Sequence, residues 1–333
     1  MTNNRIFWAV QAVGLKQDGA ASYTVAHGVQ SVGTTTTFNL IQEYELGQIA
    51  IYENIQDIPE VEITLEKVLD GYPLLYHLAT PAATTPSMIG RASEKCHVAL
   101  SIFPDTNEAA SGDALVTVET SGAYWNSHSI SATVDGSATE SLTLVGNHRL
   151  WSTGGSSIFE GSLFDNTDAP TASGGVQRRE NFVYANSILP SNIPGITSTS
   201  IGNVDLDDPL HPRVQSLSTS IDLGRESLFE LGRKAAYFKN PTLPAEVSTD
   251  IEILSTSGDW ISVDEETGEV GGTNHTIQFQ FEEGTNINLG SKNVLSNVTY
   301  GGGDAGGGNV TNTFSYVTYN DYTITHPQDP AGL

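Results

Sequence analysis

The sequence predicts a mainly β protein built from two tandem copies of one unit. Two observations lead to this prediction. The stretch Glu45-Leu46-Gly47 to Tyr52, followed by Pro59, returns as Glu230-Leu231-Gly232 to Tyr237, followed by Pro244. The offset is constant at 185 residues, since 230 − 45, 237 − 52 and 244 − 59 agree. After each proline, apolar and polar residues alternate, which is typical of a strand with one buried face.

The alternating strand has the same design in both copies. In the first, apolar residues lie between glutamates: Glu60, Val61, Glu62, Ile63, Leu65 and Glu66. In the second, the same alternation runs through Val247, Asp250, Ile251, Glu252 and Ile253. Because successive side chains of a strand point to opposite faces, each copy is predicted to bury its apolar residues and expose its carboxylates.

Further elements follow from local patterns. Strands are predicted at 5–13 (ended by Gly14), 34–37, 96–103, 114–120, 127–134, 141–145, 276–281, 294–300 and 312–319. A short helix is predicted at 72–83, between two prolines. The stretches 39–47 and 225–232 favour a short helix ended by a glycine, with a continuous strand as the alternative. Residues 15–33, rich in Gly, Ala and Ser, are predicted to be a loop or arm.

The ends of the two copies also match. Residues 139–145 align with 311–317 at an offset of 172, with Thr139 and Thr311 identical and Val145 and Val317 identical. This organisation predicts five segments: an N-terminal strand and arm at 1–33, copy one at 34–152, a linker or extended arm at 153–211, copy two at 212–326 and a tail at 327–333.

Composition limits the classes of function. The chain has 333 residues, with 14 Lys+Arg against 39 Asp+Glu and a net charge of −25. A surface this acidic repels nucleic acids and anionic membranes at long range. The single cysteine, Cys96, excludes an internal disulfide and is predicted to be a small buried residue. We see no signal peptide and no run of about 18 apolar residues, so we expect assembly in a cytoplasm without membrane insertion.

Motifs for chemistry are scarce. The sequence has no Gly-x-Ser-x-Gly, Walker A or His-Glu-x-x-His pattern. The glycine run 301–308 is predicted to be a hairpin loop, because no lysine follows it. Two acidic groups, Asp264-Glu265-Glu266 and Glu282-Glu283, are predicted turn charges, and the alternating oxygens of Asn203, Asp205, Asp207 and Asp208 lack the glycine and distal glutamate of a calcium loop. We therefore predict no catalytic residue, no metal and no cofactor.

The chain resembles the tail tube proteins of tailed bacteriophages, in the form with a duplicated tube domain. The resemblance rests on Glu45-Leu46-Gly47, Tyr52, Pro59 and Val61-Glu62-Ile63, on 227–234, Tyr237, Pro244 and Glu246-Val247, and on Leu69-Asp70-Gly71-Tyr72-Pro73. It implies two β-sandwich domains, each with a short flanking helix, whose strands join between subunits into a β-barrel ring. It also implies stacked rings of the chain itself, as trimers with pseudo-sixfold symmetry or as hexamers.

The same resemblance implies a structural virion protein through which phage DNA passes at injection, with sheath, baseplate and tape-measure proteins as candidate partners. An acidic wall suits such a conduit because it holds no phosphate. We therefore expect the following carboxylates to face the lumen: Glu60, Glu62, Glu66, Asp250 and Glu252. The alternatives are a baseplate hub or tube initiator of the same fold, and an extracellular carbohydrate-binding or adhesin-like β protein. An enzyme ranks third.

Overall fold

The protein is mainly β, as predicted. The computed structural model describes residues 6, 8–104, 113–154, 158–159, 175–193, 196, 212–256, 261, 263–264, 268–269, 273–302 and 307–333. Within these residues the chain forms several antiparallel sheets and two short α-helices. Sheet formation follows the alternating patterns of the sequence, because each large strand has one apolar and one polar face.

The strands, in chain order, are β1 (Gln11–Gln17), β2 (Thr24–Val25), β3 (Val29–Thr37), β4 (Leu40–Tyr44), β5 (Ile51–Gln56), β6 (Glu60–Val68), β7 (Cys96–Ile102), β8 (Val116–Thr133), β9 (Thr139–Gly146), β10 (Leu150–Thr153), β11 (Val214–Asp222), β12 (Glu226–Leu228), β13 (Phe238–Asn240), β14 (Glu246–Leu254), β15 (Val263–Asp264), β16 (Gly268–Glu269), β17 (Gln278–Gln280), β18 (Asn286–Asn288), β19 (Val294–Gly301), β20 (Thr311–Tyr319) and β21 (Thr323–Thr325). The helices are α1 (Leu75–Ala79) and α2 (Met88–Ala92), and short 3₁₀ turns span Trp8–Val10, Arg179–Asn181 and Tyr184–Asn186.

Eight strands form one continuous sheet, here called the long sheet. Its order is β3-β6-β9-β8-β11-β14-β20-β19. The first four strands are its first half, and the last four are its second half. The pairing of β8 with β11 joins the two halves. The strands β1, β2, β7 and β10 extend the sheet from the other end of β8.

The two halves have the same pairing pattern. In the first, Leu65 lies opposite Val32 and Leu142. In the second, Ile251 lies opposite Leu217 and Phe314. The irregularities recur as well. Register shifts fall between 29 and 31 and between 125 and 127 in the first half, and between 214 and 216 and between 295 and 297 in the second. The division of the chain into five segments stays a prediction.

The inner face of the long sheet forms the core. Buried side chains of both halves belong to one cluster: Val61, Ile63, Leu65, Trp125, Leu142, Leu144, Leu217, Ile221, Val247, Ile251, Phe314 and Tyr316. The helices α1 and α2 and the small sheet β17-β18-β21 cover this face. Full burial of one such side chain contributes about 1.5–3 kcal/mol. A one-residue register slip would therefore turn this whole set to solvent, which fixes the outward direction of the carboxylates.

The predicted helices at 39–47 and 225–232 are wrong. These stretches form the hairpins β4-β5 and β12-β13, with Gly47 and Gly232 at φ of +96° and +87°. A helix this short needs a surface to pack against, and the residues of β4 and β5 are all exposed. A strand instead gains backbone hydrogen bonds from its partner. The glycines mark the hairpin turns.

The predicted arm at 15–33 is also wrong. It contains the end of β1, all of β2 and most of β3, and the first strand begins at Gln11. Gly14 lies inside β1 and does not end it. A Cβ at this position would lie 2.5 Å from the Phe159 ring and 2.8 Å from the Thr24 carbonyl oxygen. The glycine therefore allows close packing within a strand.

The predicted strands 114–120 and 127–134 are one strand, β8, of 18 residues. Its beginning pairs with β7 and β10, and its end pairs with β9 and β11. Gly122 has a φ of +64°, and the register shifts between Trp125 and Ser127. These irregularities let one strand serve two regions of the sheet without a break. The strands predicted at 96–103, 141–145, 294–300 and 312–319 and a helix within 72–83 are confirmed.

Part of the predicted linker 153–211 packs on the core. Gln177 is buried, and its backbone N–H donates to the Leu69 carbonyl at 2.8 Å. Leu189 and Ile193 belong to the core cluster. The segment 175–193 therefore lies against the same core as the long sheet.

Candidate functional site

The outward face of the long sheet, here called the open face, is rich in hydroxyl groups. Side chains opposite each other in neighbouring strands share a face, so the register identifies its members. At its centre are only serine and threonine: Ser127, Ser129, Ser131, Thr139, Ser141, Thr143, Ser216, Ser218, Ser220 and Ser248. These short side chains leave the backbone surface smooth and polar.

The five predicted lumen residues all lie on the open face. Glu60, Glu62 and Glu66 come from β6, and Asp250 and Glu252 come from β14. Two further carboxylates share this face, Asp222 at the end of β11 and Glu246 at the start of β14. The sequence prediction omitted both from its candidates. The alternation that places Glu246 outward was present in the sequence, whereas Asp222 needed the β11 register.

No lysine or arginine lies on the open face within its eight strands, all of which are described. Lys67 is the one lysine or arginine among them, and it points inward and is buried. It donates to the Asp70 carboxylate at 2.6 Å and to the His27 carbonyl at 2.9 Å. The open face therefore has carboxylates without neighbouring cations at its centre.

Hydroxyl groups orient several of these carboxylates. Ser31 donates to Glu66 at 3.2 Å, and Ser216 donates to Glu252 at 2.9 Å. Ser315 donates to Asp250 at 2.5 Å. A neutral donor stabilises a carboxylate without cancelling its charge. The face thus stays negative while its side chains are held along the sheet.

Cations are gathered at the rim where the hairpins begin. Lys95, Arg233, Lys234 and Lys239 line a cavity of about 400 Å³ beside the hairpin β12-β13. Lys239 Nζ lies 3.4 Å from Glu60 Oε1, and Lys234 donates to the Gln56 carbonyl at 3.1 Å. The positive charge at this rim is therefore separated from the middle of the open face.

The two hairpins differ in their surroundings. The hairpin β12-β13 lies on the first half of the sheet, where Phe238 packs edge-on against Tyr124 at a centroid distance of 5.6 Å. Arg225, just before it, donates to the Trp125 and Ala92 carbonyls, both at 2.6 Å. The hairpin β4-β5 instead exposes large apolar side chains: Leu40, Ile41, Tyr44, Leu46, Ile49, Ile51, Tyr52 and Ile55.

A buried polar network lies behind the open face. Glu140 of β9 is buried and accepts from the backbone N–H groups of Leu75 and Tyr76, each at 2.8 Å. It thereby satisfies the first turn of α1, whose N-cap residue supplies no side-chain bond. His128 Nε2 lies 3.0 Å from Glu140, and its Nδ1 lies 2.7 Å from the Tyr322 hydroxyl. This network joins α1 to the C-terminal segment.

Charge balance explains why Glu140 stays ionised in the core. Burial alone would raise its pKa, but the hydrogen bond and charge of His128 and the two backbone donors hold the pKa below its ordinary value. His77, in contrast, is uncharged. Burial and the Arg91 charge lower the pKa of His77 to about 3, so it is neutral at pH 7.

A second buried pair completes the network. Arg91 donates to the Asp329 carboxylate, with both side chains almost fully buried. It also donates to the Thr80 hydroxyl at 2.8 Å. The Trp125 indole N–H donates to the Arg91 carbonyl at 2.9 Å. These contacts hold α2 and the C-terminus against β8.

Glu283 is a turn charge, as predicted, but it is buried. It accepts from the Gly71 backbone N–H at 2.5 Å and from the Thr285 hydroxyl at 2.7 Å. Burial raises its pKa to about 6, although these hydrogen bonds oppose the shift. Its ionisation therefore opposes folding as the pH rises from its ordinary pKa of 4.5 towards 6.

The Glu283→Gln variant is expected to remove this pH dependence. The raised pKa of Glu283 corresponds to about 2 kcal/mol. Between pH 4.5 and pH 7 the free energy of unfolding of the wild type should fall by this amount relative to the variant. Urea unfolding of both proteins at the two pH values measures the difference. The exposed neighbour Glu282 supplies the control, since Glu282→Gln should leave the pH profile of the wild type unchanged. A Glu283→Gln profile that parallels the wild type would contradict the assignment.

Other predicted features have mixed outcomes. Cys96 is buried, as predicted. The glycine run 301–308 connects the paired strands β19 and β20, and its residues 303–306 lie outside the described residues. Two groups also lie outside them: the oxygen series 203–208, and Glu265 with Glu266. Among the described residues, no group of His, Cys, Asp and Glu is arranged to hold a metal ion, and no helix is long and apolar enough to cross a membrane.

No protein-family model matches the chain, and a search of curated proteins gives no match. Solved structures with similarity include a chain of the anti-feeding prophage baseplate, with 11% identity and a TM-score of 0.35 over 46% of this chain and 98% of that one. A chain of the PVC sheath–tube complex, an extracellular contractile injection system, has 14% identity and a TM-score of 0.34 over 46% of this chain and 94% of that one. A chain of the anti-feeding prophage tube-terminating cap has 19% identity and a TM-score of 0.35 over 46% of this chain and 94% of that one.

Proposed function

We propose that the protein is the major subunit of a phage tail tube, whose rings stack into a conduit for DNA. The observation that supports this most directly is the long sheet, whose outward face carries hydroxyl groups and carboxylates, with its one neighbouring lysine, Lys239, at the rim beside Glu60. In this proposal the open face lines the lumen, with Glu60, Glu62, Glu66, Asp250 and Glu252 directed inward. The apolar face turns outward onto the helices and the small sheet.

The chemistry of the open face suits passage of DNA. Affinity for DNA comes mainly from Lys and Arg at phosphates, each of which releases counterions. The eight strands of the wall present no such residue outward, so the middle of the wall gives a moving duplex no phosphate site. Charge repulsion acts over about 8 Å at physiological salt, so it keeps the duplex from direct contact with the wall. Hydroxyl groups keep the surface wet, so the DNA is separated from it by water.

The assembly in this proposal consists of the chain itself. A ring could hold three chains with pseudo-sixfold symmetry or six chains, and rings stack along the tail of the virion. Sheath, baseplate and tape-measure proteins are the partners that such a tail supplies. A baseplate hub or tube initiator of the same fold is the alternative, and it differs in stopping at one ring.

Negative-stain electron microscopy of the purified protein tests the proposal. The expected result is rings with a central channel that stack into tubes of uniform width. Single rings that never stack would favour the hub, and dispersed particles without a channel would contradict both. The carboxylates would also have to line the channel in a reconstruction of the assembled tube. Their location on the outside would contradict the acidic lumen.

A single variant gives a sharper test of assembly. Tyr300 lies on β19, the edge strand of the second half of the long sheet, and is 58% exposed. If β19 joins another chain, Tyr300→Asp places an unpaired charge in that contact, and tube formation should be lost while the fold is kept. Micrographs and circular dichroism of the same sample measure the two properties. Trp151→Asp, at an exposed position outside the long sheet, is the control and should still form tubes. Normal tubes from Tyr300→Asp would contradict a role of β19 in assembly.

A further inference from the structure

The contact between the two halves, here called the internal seam, is fully defined within one chain. Seven residues of β11 pair with seven of β8, from Ser216 opposite Thr133 to Asp222 opposite Ser127. Its inward side chains are buried: Ile130 is 0% exposed, Thr219 is 1% exposed and Ile221 is 2% exposed. The seam is therefore a packed strand contact and not a loose junction.

The two ends of the long sheet have free edges. Among the described residues, β3 pairs only with β6, and β19 pairs only with β20. Free edges of natural proteins are commonly protected by charged residues or proline. Neither β3 nor β19 contains Asp, Glu, Lys, Arg or Pro. Both edges are thus open to pairing with another strand.

The repeat relates the free edges to the internal seam. The strand β11 corresponds to β3 at an offset of 185 residues (214 − 29), and β8 corresponds to β19 at an offset of 170 (295 − 125). For each residue pair of the internal seam, subtracting 185 from the β11 residue and adding 170 to the β8 residue gives the corresponding pair of edge residues. Ser220 opposite Ser129 becomes Thr35 opposite Thr299, and Thr219 opposite Ile130 becomes Thr34 opposite Tyr300.

Burial supports this correspondence. Tyr300 is 58% exposed, whereas its counterpart Ile130 is fully buried. Thr34 and Thr36 are half-buried, whereas their counterparts Thr219 and Ile221 are buried. The inward side chains of both edges are thus less buried than their counterparts in the internal seam. A second strand in the same register would cover them.

We propose that the internal seam is repeated between chains, with β19 of one copy pairing antiparallel with β3 of the next. The register places Thr35 opposite Thr299, Thr34 opposite Tyr300 and Thr37 opposite Asn297. This inference rests on the proposed function, because it defines the contact that closes a ring. The occupant of each free edge is a second copy of this chain, since the chain itself contains the matching strand.

The same correspondence indicates which surface covers the exposed hairpin β4-β5. Within the chain, β12-β13 lies on the first half of the sheet and contacts it through Phe238, which packs on Tyr124, and Lys239, which lies beside Glu60. The hairpin β4-β5 occupies the corresponding position before β6, and in the part of the chain that the structure describes all residues of its two strands are exposed. In the assembled ring it lies on the second half of the neighbouring copy, which covers Leu46, Ile49 and Tyr52.

Cysteine cross-linking tests the register. The variant Thr35→Cys/Thr299→Cys places two thiols on directly opposite outward positions, whose Cβ atoms are about 4.5–5.5 Å apart in an antiparallel pair. Mild oxidation is expected to give covalent multimers up to the number of chains in one ring, seen on a non-reducing gel. The native Cys96 does not interfere, because it is buried and burial raises its pKa to about 12.

Two matched controls define the outcome. Ser129→Cys/Ser220→Cys, across the internal seam, should form a disulfide within one chain and stay at monomer mass. Thr35→Cys/Asn297→Cys, two residues out of register, should cross-link much less. Equal or stronger cross-linking of that pair overturns the register. Rings in the micrograph without cross-linking of the first pair overturn this inference alone, whereas the absence of both rings and cross-links overturns the proposed function with it.

Discussion

Asp329→Ala is expected to lower the free energy of unfolding by about 3–5 kcal/mol, the usual cost of removing one partner from a buried ion pair. The Arg91 side chain is fully buried, and Asp329 is the carboxylate that balances its charge. The remaining hydrogen bonds of Arg91, to the Thr80 hydroxyl at 2.8 Å and to the Thr80 carbonyl at 3.3 Å, have neutral acceptors. Urea unfolding at pH 7 measures the loss as a lower midpoint at an unchanged slope.

The surface pair Glu230–Arg233 is the control for this prediction. Its side chains are 56% and 53% exposed and its atoms are 3.7 Å apart, so Glu230→Ala should cost less than about 1 kcal/mol. The double variant Arg91→Met/Asp329→Leu should be more stable than Asp329→Ala, because it leaves no unpaired charge. A loss for Asp329→Ala as small as that of the control would show that the pair does not hold the C-terminus.

Reversing charge on the open face is expected to turn a surface that rejects DNA into one that binds it. The variant Glu62→Lys/Asp250→Lys places one cation in each half of the long sheet and raises the net charge from −25 to −21. Each new phosphate contact should steepen the slope of log affinity against log salt concentration by about 0.9. Fluorescence anisotropy of a labelled duplex at low and physiological salt measures this, and the wild type should show no binding.

A charge-matched variant separates position from total charge. Asp113→Lys/Glu180→Lys also reaches −21, but these exposed residues lie outside the long sheet. It should bind the duplex far more weakly than the open-face variant. Equal binding by both would mean that net charge alone excludes DNA, and the open face would then have no special role.

The sequence was sufficient to predict the parts of the fold that depend on alternation. In β6 and β14 every second residue is buried and most of these residues are apolar, so the outward direction of Glu62 and Asp250 followed from the pattern. The offsets of 185 and 172 likewise matched strands that pair in the same register. These features are local, or are repeated locally, and are therefore visible in one chain.

Other features depend on contacts distant in sequence. The hairpin β4-β5 was predicted as a helix because Gly47 suits either a helix end or a turn, and only its pairing with the following strand decides between them. Glu140 is separated by 65 residues from Leu75, and Arg91 by 238 residues from Asp329. No spacing rule connects such residues, so the buried network could not be predicted. Asp222 was missed for the same reason.

The internal seam has a consequence for how assembly proceeds. Because its two strands belong to one chain, the second strand meets the first at an effective concentration in the millimolar range, whatever the protein concentration in the cell. In a ring of three such chains, half of all seams would thus form during folding and only the other half by encounter between molecules. The two kinds of seam also have separate sequences, Ser-rich inside the chain and Thr-rich at β3. Evolution can therefore adjust the stability of the subunit and the reversibility of ring closure independently.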